Sequence, residues 1–300
     1  MSAAPLAALA LAWAWDHLWG EPPDRWHPVA WLGRLLGPVG ERLCGLKPVA
    51  AFVGGLLAWC GIAIGLWLVG LGLTWALQPW PLWAQALALG VLLKPCLAWS
   101  MLRDEVRAVE QALQQGLPQG RARLSRLVSR EVDRLGAEEV REAALSTLAE
   151  NLNDSLVAPL FWFAVAGLPG ALVYRFANTA DAMWGYRGRW EWAGKWAAWA
   201  DDVLSWLPAR LTALLLAPLE LLRPRLWREA ARTPSPNGGW PMGALALRLG
   251  VRLRKPGVYA LNVAAPSPQA AQLARGLVVC GQAAALSWLG CALLIWGLPR

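Results

Sequence analysis

The sequence predicts an all-α polytopic membrane protein with about four or five transmembrane or re-entrant helices. Two observations carry this prediction. The chain is 57% hydrophobic and only 16% charged, whereas soluble domains contain about 25% charged residues. From Pro48 to Leu93 no residue is charged, and a bilayer crossing needs only about 20 apolar residues. This composition excludes a disordered chain and argues against an ordinary soluble enzyme.

The N-terminal third is expected to contain one helical hairpin in the membrane. Residues 3–15 are apolar but short for a full crossing, and residues 16–48 form a polar connector. Residues 49–100 form the hairpin, which is broken at residues 78–81 because two prolines there each remove a backbone donor. Lys94, near the end of this hairpin, is expected to snorkel to the membrane interface.

The rest of the predicted single membrane domain, residues 1–300, alternates between polar and apolar parts. Residues 101–154 carry apolar positions at helical spacing and predict cytoplasmic amphipathic helices, with a turn at Leu117–Gly120. Residues 155–222 are broken membrane segments around a polar loop. Residues 223–275 form a basic cytoplasmic region, and residues 276–298 form the final span.

Charge sets the expected orientation. The chain has a net charge of +8, and arginine and lysine concentrate in residues 101–154 and 223–275, which should therefore face the cytoplasm from a cell (inner) membrane. Nucleic acid is not an expected partner. Alternation from Val251 to Val263 around a Lys-Pro-Gly turn predicts a small possible β-hairpin. Because the polar clusters should all reach one side, residues 155–174 are expected to be broken or re-entrant.

The first polar cluster lies in the proline-rich segment between Asp16 and Arg34 and includes Glu21 and His27. Prolines restrict the backbone, which helps to hold a carboxylate and an imidazole in place. A rigid connector with solvated charges is the alternative interpretation.

The second cluster is Glu150-Asn151-Leu152-Asn153-Asp154. Residues four apart on a helix share one face, and carboxylate oxygens bind Mg²⁺ together with substrate phosphates. A solvated helix end is the alternative.

Two further clusters are weaker when taken alone. One consists of Asn178, Asp181, Tyr186, Arg187, Asp201 and Asp202. It combines amide, carboxylate and cationic side chains, and an interfacial loop is the alternative interpretation. The other consists of Ser235, Asn237, Gly238, Lys255 and Tyr259. It contains a glycine-rich turn whose amides are expected to cradle an anion, and a plain turn is the alternative interpretation. No Walker A, GxSxG, HExxH or GxGxxG motif is present.

These clusters, taken in order along the chain, resemble the CobD/CbiB family of adenosylcobinamide-phosphate synthases. The resemblance covers most of the chain and rests on several blocks in register. The blocks include Gly20-Glu21-Pro22-Pro23, His27-Pro28-Val29, Ser129-Arg130, Ala149-Glu150-Asn151, Asn178-Thr179, Gly185-Tyr186-Arg187, Asp201-Asp202, Pro208-Ala209-Arg210, Ser235-Pro236-Asn237-Gly238-Gly239 and Lys255-Pro256-Gly257. Glu131 departs from the family pattern, which usually has Asp after Ser-Arg.

The resemblance implies formation of an amide bond. The acid is adenosylcobyric acid and the amine is (R)-1-amino-2-propanol or its O-phosphate, with ATP and Mg²⁺ expected because a carboxylate must be activated. The expected catalytic residues are His27, Asp181, Arg187 and Asp202. The expected substrate or nucleotide ligands are Asp16, Glu21, Arg34, Arg130, Asn151, Asn178, Tyr186, Arg210, Ser235, Asn237, Gly238, Lys255 and Tyr259. The expected metal ligands are Glu150, Asp154, Asp181 and Asp201.

The expected partners are the lipid bilayer, the acid and amine substrates, and other cobalamin-pathway enzymes. Two other functions remain open on the sequence. A corrinoid transporter would place polar or broken elements at mid-membrane. Only residues 155–174, with their predicted break, support this alternative. A regulatory membrane protein, like the distant AmpE-type relatives, would not require so many clustered acids, amides and arginines.

Overall fold

The computed structural model describes residues 3–297, and the chain is 76% helical. Four helical stretches are long and apolar enough to cross a membrane: Pro48–Leu77, Leu82–Gln115, Ala137–Trp184 and Ala270–Gly297. Within the described residues, the sheet consists of a single pair of short strands. The predicted all-α polytopic fold is therefore confirmed.

The N-terminal half of the described chain consists mostly of helices. They are α1 (Ala4–Leu18), α2 (Pro28–Cys44), α3 (Pro48–Leu77), α4 (Leu82–Leu93), α5 (Trp99–Gln115), α6 (Leu117–Leu124) and α7 (Ala137–Leu152). A 3₁₀ turn, Lys94–Cys96, follows α4, and a π-helical turn, Asn153–Val157, follows α7.

The C-terminal half contains shorter helices and the hairpin. Its elements are α8 (Ala158–Trp184), α9 (Lys195–Leu204), α10 (Trp206–Leu216), α11 (Pro218–Leu221), α12 (Pro224–Ala230), α13 (Gly239–Leu249), β1 (Leu253–Lys255), β2 (Tyr259–Leu261) and α14 (Ala270–Gly297).

The chain divides into two compact units. The first unit comprises Met1–Ala98, Ala158–Leu204 and Trp288–Arg300, and the second comprises Trp99–Val157 and Ser205–Ser287. The proposed grouping of all residues into a single membrane domain stays a prediction.

In the first unit, α3 has the surface expected of a lipid-facing helix. Only 17% of its most apolar stretch is buried, and Leu57 and Trp75 are largely exposed. A soluble protein rarely exposes so large an apolar surface. The buried side of α3 contributes to a core around Leu36, Phe176 and Trp184, where the Trp184 indole donates to the Leu36 carbonyl at 3.2 Å.

Helix α8 is broken at Gly167. This residue has φ 66° and ψ −156°, a conformation that essentially only glycine adopts. Pro169 follows two residues later and has no backbone N–H to donate. A break within residues 155–174 therefore agrees with the sequence prediction, while re-entry into the membrane stays a prediction.

Two local predictions are wrong. The Leu117–Gly120 segment opens α6 and does not form the turn itself, because proline is well tolerated in a first helical turn; the chain instead changes direction at Gly116, with φ 154°. Lys94 does not snorkel, because its side chain is 2% exposed and ion-paired within the first unit.

The second unit is built around α7, where Leu145 and Leu148 are fully buried. The predicted hairpin is confirmed: β1 and β2 pair antiparallel, with Leu253 opposite Leu261. The hairpin is held to α7 by the fully buried Glu142, whose carboxylate pairs with arginines of the β1 segment.

Candidate functional site

The second unit contains a polar cavity of about 150 Å³. Helix α7 contributes Ser146, Thr147, Glu150 and Asn151 to its wall. Positions 146 and 150, and likewise 147 and 151, are one helical turn apart, so these side chains form one polar face. The other walls come from the segment after α6, with Ser129 and Arg130, and from the hairpin, with Lys255 and Tyr259. The structure thus assembles residues from three separate sequence blocks.

Arg130 supplies a positive charge to the cavity, and its guanidinium is incompletely hydrogen-bonded. Its Nη1 atom is buried and has no hydrogen-bond partner among the residues that the structure describes. A buried, unsatisfied donor costs about 1–3 kcal/mol, and more when it is charged. Lys255 lies in the same wall. A guanidinium binds an anion through two parallel hydrogen bonds, whereas an ammonium acts as a point charge. The cavity is therefore suited to an anionic group such as a phosphate.

Tyr259 acts as a donor in this cavity. Its hydroxyl donates to Met242 Sδ at 3.3 Å. Burial raises the pKa of the Tyr259 hydroxyl, a hydrogen bond from Ser146 opposes this change, and the charge of Glu150 adds to it. Because its pKa lies above the ordinary value, the phenol keeps its proton at neutral pH and is a poor general base.

The glycine-rich turn before α13 approaches the same carboxylate. A Cβ atom on Gly238 would lie 2.9 Å from Glu150 Oε1, so glycine permits this close approach. The backbone amides of Asn237 and Gly238 donate to Ser235 Oγ at 3.1 and 3.2 Å. The predicted cradling of an anion by these amides stays a prediction, and both amides already have a partner within the turn.

Arg210 fixes this turn from α10. Its Nη1 donates to Asn237 Oδ1 at 2.7 Å and its Nη2 donates to the Pro236 carbonyl at 3.1 Å. The guanidinium also lies over the rings of Trp206 and Trp240, 4.4 and 4.7 Å from their centroids. These contacts give Arg210 a positioning role within the second unit.

Asp154 lies in the π-helical turn, and such turns are frequent at functional sites. Asn153 donates from Nδ2 to Asp154 Oδ1 at 2.8 Å and accepts from Thr212 at 3.1 Å. Across residues 3–297, no group of three or more His, Cys, Asp or Glu side chains is arranged to hold a metal. Glu150 still supplies an oxygen donor to the cavity, and Mg²⁺ commonly takes one or two carboxylates and completes its shell with water and substrate phosphates.

The first unit contains a buried charged network centred on Lys94. Its Nζ lies 3.2 Å from Asp16 Oδ1 and 2.6 Å from Glu21 Oε1, and it donates to the Leu97 carbonyl at 3.0 Å. Glu21 Oε2 lies 3.0 Å from His27 Nε2. Burial alone would raise the pKa of the Glu21 carboxyl, but the hydrogen bond from His27 and the charge of Lys94 outweigh it and hold the pKa below its usual value.

Both ring nitrogens of His27 are engaged. Nδ1 accepts from the Val29 amide at 3.2 Å and caps α2, so the neutral ring carries its proton on Nε2, facing Glu21. The predicted role of His27 as the base that deprotonates the amine stays a prediction. It would require the ring to leave its cap or to pass a proton to Glu21.

The remaining predicted residues of the first unit lie on and beyond α8. The Asn178 amide donates to Asp201 at 3.5 Å. The Gly185 amide donates to the Asp181 carbonyl at 2.7 Å, and burial raises the pKa of the Asp202 carboxyl. Tyr186 and Arg187 are exposed.

Arg34 is also exposed and donates to the Asp24 carbonyl at 3.1 Å. The roles assigned to all of these residues stay predictions.

Sequence reasoning missed Lys94 and Ser146 as members of these networks. A lysine within an apolar span was the available signal, because charged residues inside membrane segments are rare and usually functional or paired. Ser146 carried a weaker signal, since it lies one helical turn before Glu150. Nothing in the sequence indicated the π-helical turn that brings Asn153 toward Thr212.

Comparison with known proteins gives consistent matches. The family described as CobD/Cbib protein matches residues 9–279. The probable cobalamin biosynthesis protein CobD of Thermococcus kodakarensis is 40% identical over 255 residues, covering 85% of this chain and 84% of the relative. The cobalamin biosynthesis protein CobD of Rhodobacter capsulatus is 39% identical over 293 residues, covering 91% of each chain. That of Dehalococcoides mccartyi is 35% identical over 279 residues, covering 86% of each. No solved structure matches.

Proposed function

The chain belongs to the CobD/CbiB family, and we propose that it catalyses an amide-forming step of cobalamin biosynthesis. The step joins (R)-1-amino-2-propanol or its O-phosphate to a propionate carboxylate of adenosylcobyric acid. The product is adenosylcobinamide or its phosphate, and ATP activates the carboxylate. The enzyme acts at the cytoplasmic side of the cell membrane, and other cobalamin-pathway enzymes are its expected partners.

The polar cavity of the second unit is the observation that best supports this proposal. It combines two cationic side chains, Arg130 and Lys255, with the carboxylate of Glu150. Its volume of about 150 Å³ is below the range of about 300–1,000 Å³ typical for drug-sized ligands. The cavity therefore suits the small amine better than the corrinoid. The paired cations favour the phosphorylated form of that amine.

The reaction needs three chemical events. A carboxylate oxygen of the acid attacks the γ- or α-phosphorus of ATP, the bond from that phosphorus to its bridging oxygen breaks, and ADP or pyrophosphate leaves. The acyl phosphate or acyl adenylate so formed loses phosphate or AMP when the amide forms. The amine nitrogen then attacks the activated carbonyl carbon, the C–N bond forms and the C–O bond to the phosphoryl group breaks. The ammonium group of the amine gives up protons on the way to the amide, and a carboxylate near the nitrogen stabilises the ammonium and accepts a proton.

Within the second unit, each side chain has a role that its surroundings support. Arg130 and Lys255 hold the phosphate of the amine, and Glu150 faces its ammonium group. Tyr259 keeps its proton and donates its hydrogen bond to Met242 Sδ. Mg²⁺, when bound with ATP, neutralises phosphate charge, and Glu150 is the cavity side chain whose oxygens fit it. The choice between these two roles of Glu150 is open to direct test.

The first test is reconstitution of the reaction. Protein in nanodiscs receives adenosylcobyric acid, Mg²⁺-ATP and either amine, and the corrinoid mass is followed. A mass gain that matches condensation supports the ligase. A folded, corrinoid-binding protein that gives no product with either amine contradicts it and favours transport or regulation.

The second test compares charge variants in the same assay. We expect Arg130→Gln and Lys255→Gln each to raise KM for the phosphorylated amine by about 10- to 100-fold, because each removes a charge-assisted hydrogen bond. The unphosphorylated amine should be affected much less. Arg248→Gln, at an exposed position of α13, is the matched control. Equal effects on both amines would contradict phosphate binding in this cavity.

A further inference from the structure

The first unit contains a second cavity, which is larger and almost entirely apolar. Its volume is about 360 Å³, within the range of about 300–1,000 Å³ typical for small-molecule sites. Side chains from α1, α2, α3 and α8 and from the loop before α2 form its wall, among them Trp15, Trp26, Leu32, Leu66, Leu172 and Phe176. An apolar wall of this kind does not suit the corrinoid's amide groups or a nucleotide.

Two cationic side chains lie in this apolar wall, Lys94 and Arg175. The charge of Lys94 is balanced by Asp16 and Glu21 at 3.2 and 2.6 Å. Arg175 differs, because its Nε atom is buried and has no hydrogen-bond partner among residues 3–297. Arg175 therefore provides an unused donor at the wall of an apolar cavity.

The position of Arg175 within the chain strengthens this point. It lies inside Ala137–Trp184, one of the stretches apolar enough to cross a membrane. A charged side chain in such a stretch is costly and normally faces the protein interior, where it pairs with another group or marks a ligand site. The cavity also includes Leu66 of α3, the helix whose apolar surface is mostly exposed.

We propose that this cavity binds an anionic single-chain amphiphile, with its alkyl chain against the apolar wall and its phosphate or carboxylate on Arg175. The alkyl chain fills space that water would occupy unfavourably, and the headgroup accepts charge-assisted hydrogen bonds from the Arg175 guanidinium. The chemistry is shared by a lysophospholipid of the bilayer and by a free fatty acid. This site is separate from the polar cavity of the second unit and does not depend on the proposed reaction.

Native mass spectrometry of the delipidated protein tests the proposal. The probes are palmitate, palmitoyl lysophosphatidic acid and the zwitterionic palmitoyl lysophosphatidylcholine, which have chains of equal length. We expect one or both anionic probes to bind more tightly than the zwitterionic one. Preference for palmitate identifies a fatty acid site, and preference for the lysophosphatidic acid identifies a lipid phosphate site.

Variants show whether binding uses this cavity. Arg175→Gln should weaken the anionic probes by about 10- to 100-fold and leave the zwitterionic probe nearly unchanged. Arg175→Lys should restore part of the affinity. Leu172→Trp, which fills the cavity, should weaken all three probes. Arg42→Gln, at an exposed position of α2, should change nothing. Equal binding of the three probes, or unchanged binding by Arg175→Gln, would overturn the proposal.

Discussion

Replacing Lys94 by methionine should strongly destabilise the first unit. Lys94 and Asp16 are 2% and 0% exposed, and their charged atoms are 3.2 Å apart. At this separation, and with an effective dielectric constant of about 20, the attraction is about 5 kcal/mol. Removing one partner of a buried pair typically costs about 3–5 kcal/mol, because the other charge remains desolvated. We expect Lys94→Met to lower the free energy of unfolding by that amount.

A second replacement separates the ion pair from mere packing. In the double variant Lys94→Met/Asp16→Leu, no unpaired charge is left at the fully buried position 16, and the less buried Glu21 keeps its hydrogen bond with His27. Replacing a whole buried pair by apolar side chains is often neutral or stabilising. We therefore expect the double variant to recover most of the loss, to within about 1–2 kcal/mol of the unmodified protein.

The assay is unfolding by sodium dodecyl sulfate in mixed micelles, followed by tryptophan fluorescence and checked for reversibility. Lys47→Met, at an exposed position before α3, is the control and should change stability by less than about 0.5 kcal/mol. A loss below about 1 kcal/mol for Lys94→Met would refute the argument from burial. A double variant as unstable as the sum of the two single ones would refute the argument from pairing.

Three further predictions concern single positions. Gly238→Ala should lower turnover about tenfold or more, because its Cβ would lie 2.9 Å from Glu150 Oε1 and displace that carboxylate. The Tm should change little, because a flexible carboxylate can move. Unchanged turnover would contradict a role for Glu150. Gly167→Ala should destabilise the protein by about 1–3 kcal/mol in the same micelle assay, because of its positive φ. Gly61→Ala, in open space within α3, should stabilise it by about 0.5–1 kcal/mol; similar effects at both positions would contradict strain at Gly167. The folded-state pKa of Glu21 is lowered from 4.5, so its contribution to stability is present above that value and is lost as pH falls through the folded-state pKa. Glu21→Gln should therefore flatten the loss of stability on acidification, and an unchanged pH profile would count against the network.

Much of the fold could be predicted because its signals are local. A long uncharged stretch predicts α3, since only a helix satisfies its own backbone in lipid. Alternation around Lys255-Pro256-Gly257 predicts the hairpin because side-chain period and turn chemistry agree. The start of α6 was misplaced for the same local reason, since a proline that suggests a turn is equally suited to a first helical turn.

The candidate site was predicted less completely, because its members are distant in sequence. Glu150 and Asn151 were found because a helix places neighbours at known spacing. Their position in one cavity with Lys255 and Tyr259 depends on how the hairpin packs on α7, which spacing cannot reveal. Lys94 was assigned to the interface because it lies near the end of an apolar span. Its pairing with Asp16 could not be foreseen, because Asp16 lies on another helix.

The sequence by itself determined that the chain is helical and apolar enough for a membrane, which blocks carry polar chemistry, and to which family those blocks belong. The helical and apolar character follows from composition and short-range periodicity, which the local backbone enforces, whereas the family follows from the resemblance of its sequence blocks. Only the tertiary structure decided that Arg130 shares a cavity with Lys255, that Lys94 is buried with Asp16, and that Arg175 faces an apolar cavity. Burial and pairing are set by which helix faces meet, and that choice depends on packing across the whole unit.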